Sequence, residues 1–176
     1  MSKLKRPSML LFLKIEENFC LCGVYSDELT IEYNPQTETN QDVTEEAAST
    51  DVTGYQISVP VSAKVVAAEG QKGYKVSNYI QKLRRSLATT GDAETEALLV
   101  DTYAAATTPA GSFVAQKFKA VIQIDTYGGP ANESLGIEYT VHLNGTPETG
   151  TAKVTTDPAT SDKTAVYTAP SSSSAG

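Results

Sequence analysis

The chain has 176 residues, a net charge of −7 and a pI near 4.7. That length suits one domain, and with 40% hydrophobic residues, no Trp and four Phe, the core must rest on Val, Ile, Leu and Tyr. The acidic balance argues against a surface that grips phosphate backbones, which needs clustered Lys and Arg, though not against one that faces nucleic acid without holding it. Cys20 and Cys22 are the only cysteines, and there is one histidine. A C-x-C bridge is strained, and so few ligands argue against zinc, so both cysteines read as reduced thiols.

In chain order, "MSKLKRPSMLLFLKIEE" opens with a basic arm running into a strand that places Leu11, Leu13 and Ile15 on one face. Its apolar run is shorter than the about 7–15 residues of a signal-peptide core. Nothing approaches the roughly 20 apolar residues of a membrane span, so a soluble protein is expected. "CLCGVYSDELTIEY" gives two short strands around the turn signal "SDE". Residues 34–54 are polar and rich in Thr, Glu and Asp, and read as a long acidic loop. "YQISVPVSAKVV" alternates, with Ile57, Val59, Val61 and Val65 on one side and Gln56, Ser58, Ser62 and Lys64 on the other. Pro60 cannot donate to a ladder, so this strand belongs at an edge or a bulge.

One helix is expected over about residues 75–88, where Val76, Ile80, Leu83 and Leu87 form a 3.6-period stripe and Gly91 offers a stop. "AETEALLVDTYAA" and "SFVAQKFKAVIQIDTYGG" follow as strands joined by "ATTPAG". "GIEYTVHLNG" puts Ile137, Tyr139, Val141 and Leu143 on a buried face and Glu138, Thr140, His142 and Asn144 on a wet one. Residues 156–176 end in a serine run and read as a mobile tail, leaving 1–155 as the folded unit. The expected fold is mainly β: an antiparallel sandwich or barrel-like pair of sheets with one flanking α-helix and a long loop.

Charge is segregated. Residues 15–63 carry ten acids and no Lys or Arg, whereas residues 64–85 carry six bases against Glu69. The commonest reading of such runs is a solvated face. The functional alternative pairs the acidic loop of one copy (Asp42, Glu45, Glu46, Asp51) with the basic helix side of another (Lys75, Lys82, Arg84, Arg85), fixing register between subunits. Catalysis has little to stand on. His142 lies on the polar side of a strand with no nucleophile turn nearby, and no spacing selects a carboxylate pair. "TYGGP" ends a strand rather than opening a helix, so it reads as a turn, and "NES" at Asn132 matches a glycosylation acceptor by chance. No catalytic, cofactor-binding or metal residue is assigned, and the chain is not expected to be an enzyme.

The ordered set "KLKRPSMLLFL", "LTIEYNPQTET", "TDVTGYQISVPVSAKV", "NYIQKLRRSLATTGDAETEALLV", "AQKFKAVIQIDTYGG" and "GIEYTVHLNGTPETGTAKV" resembles the major tail (tail tube) proteins of long-tailed, siphovirus-type phages of Gram-positive bacteria. It departs from them at "KGYKV", where the family often starts its helix with Asp-Pro. The resemblance implies hexameric rings whose sheets join into one barrel. The rings stack into a hollow tube around a tape-measure protein, capped by tail terminator and distal tail proteins. Double-stranded DNA passes through without specific binding, and the protein resides in the virion after assembly in the host cytoplasm, away from membranes. Gln123, Asp125, Glu138, Thr140 and His142 are then candidates to face the lumen, since an acidic bore repels phosphates. Two alternatives stand beside this reading: a tube subunit of a related contractile injection or secretion system, and a monomeric β-sandwich surface-binding module.

Overall fold

The computed structural model describes residues 8–26, 28–40 and 49–170. The strands are β1 (Met9–Ile15), β2 (Asn18–Leu21), β3 (Glu32–Asn40), β4 (Ser49–Lys64), β5 (Glu94–Ala105), β6 (Phe113–Gly128), β7 (Gly136–Thr156) and β8 (Lys163–Thr168), with one α-helix, α1 (Tyr74–Ser86). The mainly-β, antiparallel architecture with a single flanking helix is as expected. Its layers, however, are parts of one continuous sheet, in the order β3-β4-β7-β6-β5-β1-β2-β8, which closes on itself through a further β7–β8 pairing.

Strand alternation gives this sheet two faces of different fate. On the first, Leu11, Leu13, Leu99, Phe118, Ile122, Tyr139 and Val141 pack with Val59 and Val61 against Val76, Ile80 and Leu83 of α1. On the second, Phe12, Phe19, Leu98, Val100, Ala115, Ala152 and Ala165 fill a small barrel formed where β7, β6, β5, β1, β2 and β8 join in a ring. Over β4 and the first half of β7 the second face has no such partner: Ser62, Glu138 and Asn144 are exposed there. A row of ions marks the transition, with Lys14 Nζ 2.5 Å from Glu96 and Lys117 Nζ 3.8 Å from Glu96 and 3.7 Å from Glu148.

Three expectations are corrected. Most of the 34–54 segment is a β-hairpin, with Asn34 opposite Gln56 and Asn40 opposite Ser49; only 41–48 lie outside the described residues. Polar side chains on both faces hide it from periodicity. Thr-rich composition and cross-strand pairs such as Thr39–Thr50, whose hydroxyls lie 3.3 Å apart, suit a strand nonetheless. Within the expected mobile tail, β8 pairs with both β2 and β7, and Ala165 is buried in the barrel. Its inward residues are Ala165 and Tyr167, too few large apolar groups to show as a hydrophobic run. β4 is an interior strand between β3 and β7 rather than an edge; Pro60 falls in the gap between the last β3 pair, at Ser58, and the isolated Leu29–Val61 bridge.

Helix α1 begins at Gly73, with φ 81°, and has no acid in its first turn. The missing anion comes from the β7–β8 connection, where Asp162 Oδ1 accepts the Gly73 N–H at 2.6 Å. The helix ends at Ser86, five residues before Gly91. Leu87 adopts the left-handed conformation (φ 49°, ψ 48°), its N–H reaching Arg84 O at 3.2 Å while the Ala88 N–H reaches Leu83 O at 3.1 Å. Leu87, expected to complete the buried stripe, is 82% exposed instead.

A side chain at Gly150 would meet the Thr168 carbonyl oxygen and the Tyr167 ring. Gly150→Ala is therefore expected to cost about 1–3 kcal/mol in urea unfolding; unchanged stability would contradict the closure by β8. Cys22 Sγ lies 3.1 Å from Tyr139 Oη, and burial pushes the thiol up to about 11 from 9.0. Because only the neutral thiol suits this site, its contribution is whole below about pH 9 and lost as pH rises through about 11. Melting temperature should fall over that range, and less so in Cys22→Ala.

Candidate assembly and lumen surfaces

Register determines which polar residues share the open second face. Ser58 lies opposite His142, Pro60 opposite Thr140 and Ser62 opposite Glu138 across β4 and β7. Val121 lies opposite His142 and Gln123 opposite Thr140 across β7 and β6. A register shift between Ile124 and Thr126 turns Asp125 onto the same side.

All five lumen candidates consequently share one surface, four of them in a hydrogen-bonded network and Glu138 beside it. His142 Nε2 lies 3.0 Å from Gln123 Oε1, Gln123 Nε2 donates to Asp125 Oδ1 at 2.6 Å, and Thr140 donates to Asp125 Oδ2 at 2.7 Å. Thr126 Oγ1 donates to Glu138 at 2.7 Å. These donors are directed onto the surface's own carboxylates, so what it presents outward is mainly acceptors and negative charge. Nearby, Glu28 and Glu32 line a shallow open depression with Asp125 and Glu138.

The same face continues along the β3–β4 hairpin. Residues 49–56 of β4 pair with β3 alone, so the hairpin projects past the sheet as a two-stranded ribbon, every residue of β3 being exposed. Glu38 stands directly opposite Asp51, a like-charge cross-strand pair that is unfavourable unless cations approach. The opposite ribbon face carries Tyr33, Val52 and Tyr55, each more than half exposed, with the two tyrosine rings edge-to-face at 6.5 Å.

The inter-subunit candidates divide. Asp42, Glu45 and Glu46 lie outside the described residues. Asp51 is exposed on the ribbon, and Lys75, Lys82 and Arg85 are exposed on α1. Arg84 is already engaged within the chain: its Nε donates to Gln81 Oε1 at 3.0 Å and its guanidinium carbon sits 3.9 Å above the Tyr127 ring. Sequence reasoning missed that contact and the exposure of Leu87. Aromatic stacking across 43 positions leaves no local pattern.

Two strand edges are open. The outer side of β3 has no partner among the described residues. On β6 the pairing with β5 ends at Val121, leaving Ile122–Gly128 bonded to β7 alone among the described residues. The four strands β3, β4, β7 and β6 are successively antiparallel, so β3 and β6 run in opposite directions.

No protein-family model matches this sequence, and no curated protein does. Among solved structures, a chain in the tail of an empty gene transfer agent particle of C6 symmetry superposes with TM-score 0.55 at 14% identity, covering 82% of this chain and 97% of that one. A chain of the native gene transfer agent virion gives TM-score 0.55 at 12% identity, covering 84% and 98%. A chain of the six-fold symmetrised anti-feeding prophage baseplate aligns at TM-score 0.44 and 10% identity over 87% and 98%, below the level at which a common fold follows. The first two likenesses establish that this chain shares the fold of those gene transfer agent chains.

The hydrogen-bonded surface generates its own test. Asp125→Ala removes the acceptor of both Gln123 and Thr140 on an exposed face, and is expected to cost about 0.5–1.5 kcal/mol in denaturant unfolding. A double-mutant cycle with Thr140→Val should show coupling; strict additivity would contradict the network.

Proposed function

We propose that this chain is the tube subunit of a phage-type tail. Six copies close into a ring, and rings stack into a hollow tube that encloses a tape-measure protein and later conducts double-stranded DNA. The single observation that carries this reading is the open four-stranded segment β3-β4-β7-β6, with an edge on either side that no described residue pairs. Such edges are an aggregation liability in a solitary molecule, and ring closure removes them. Because β3 and β6 run oppositely, β3 of one copy meeting β6 of the next continues the antiparallel ladder without a break.

The charge of the second face supports its assignment to the bore. By register it carries Glu32, Glu38, Asp51, Asp125 and Glu138 against Lys64 and Lys119. A wall of that sign repels phosphates, so DNA slides past instead of sticking. The role is architectural rather than catalytic. The non-contractile, long-tailed type follows the sequence resemblance, with tail terminator and distal tail proteins as the partners at the tube ends. A sheath protein copurifying with the tube would move the assignment to a contractile injection system.

Electron microscopy of concentrated protein should show six-fold rings or hollow tubes, and featureless single particles would favour a monomeric binding module instead. Deleting residues 37–50 removes the ribbon tip and should give folded protein, by circular dichroism, that no longer forms tubes. Replacing both Asp125 and Glu138 by Lys should create salt-sensitive retention of double-stranded DNA that the unaltered protein lacks.

A further inference from the structure

Leu87 caps the C-terminal end of α1 at a backbone position where glycine is favoured. It is the left-handed residue closing the helix through the paired bonds from the Leu87 and Ala88 N–H groups. The neighbouring Ala88 packs against the core, so the cap is complete without the leucine side chain, which is left 82% exposed. A leucine gains nothing locally from such a place: it bears both the steric cost of the left-handed region and the cost of hydrated apolar surface.

Its surroundings point outward from the open edge. Arg84, three positions earlier, lies over Tyr127, which belongs to the β6 segment without a second strand partner. The C-terminal end of α1 therefore overhangs that free edge on the first face of the sheet. On that same face the ribbon shows Tyr33, Val52 and Tyr55, since Ile57 and Val59 farther along β4 pack into the cluster that includes α1. The ribbon bears three acids (Glu32, Glu38, Asp51) and no base among its described residues, and the end of α1 bears Lys82, Arg84 and Arg85 and no acid.

We infer that the end of α1 around Leu87 is a docking site for the β3–β4 ribbon of a second copy. Leu87 is its apolar anchor against Tyr33, Val52 and Tyr55, while the ribbon's carboxylates, on its other face, attract Lys82 and Arg85 only from a distance. This rests on the tube reading, because it takes the edge-to-edge pairing of β3 with β6 as the contact that brings the two surfaces together. Apolar contact supplies the affinity, and the opposed charges set orientation and encounter rate.

Leu87→Gly separates this from a structural role. Glycine suits the left-handed cap, so the free subunit should keep its circular dichroism and melt no lower than the unaltered protein. The concentration needed for assembly should rise about tenfold or more, the loss of one anchoring side chain. As a second measurement, subunits carrying Leu87→Cys mixed with subunits carrying Tyr55→Cys should form disulfide-linked dimers on mild oxidation of the assembled protein. If Leu87→Gly assembles at the original concentration, or no mixed dimer forms in tubes that are otherwise normal, the docking site is wrong while the tube reading stands. If the unaltered protein does not assemble at all, both are overturned.

Discussion

Everything in this molecule depends on how backbone hydrogen bonds at sheet edges are satisfied. A single sheet of eight strands solves the problem at one end by curling until β8 bonds to β7, which leaves β2, β8 and their neighbours without an edge. Residue Gly150 permits that closure, since a side chain there would meet the strand crossing beside it. At the other end the sheet remains open, with long unpaired stretches on β3 and β6. On the proposed tube reading, a fold that closes one end so completely and leaves the other so exposed is half of a structure whose remainder other copies supply.

The two faces of the open segment divide the labour. One is apolar and roofed by α1, which anchors it through Val76, Ile80 and Leu83 and is tied to the barrel end by the bond from the Gly73 N–H to Asp162 at its start. The other is polar, with side-chain donors turned onto its own carboxylates. Each face continues onto the projecting ribbon, so the ribbon inherits an acidic side and an aromatic side from the strands behind it. An isolated two-stranded ribbon is marginal in water, and shared burial with a neighbour is the ordinary way to stabilise one.

Legibility in the sequence followed burial. The strands around Ile57–Val61 and Ile137–Leu143 could be read because one face is buried and the other wet, which writes a period of two into the residues. The same alternation collected Gln123, Glu138, Thr140 and His142 onto one surface before any contact was known. The ribbon escaped notice because both its faces are exposed, so no buried side imposes a run of large apolar residues at alternate positions. Strand β8 escaped because the barrel needs only a small residue, Ala165, at its centre. Leu87 was misplaced for a different reason: period alone cannot tell a stripe's last buried residue from the first residue beyond the helix. The stacking of Arg84 on Tyr127 depends on tertiary placement and had no sequence signature.

The central claim is that the two open edges belong to each other across a subunit boundary, and amide hydrogen exchange reads those edges directly. Exchange should be compared between dilute subunits and the assembled protein. The account requires slow exchange to appear on assembly in 32–40 and 122–128 together, with little change in β1 and β5, which already have partners on both sides. Edge amides that exchange equally fast in both states would contradict it.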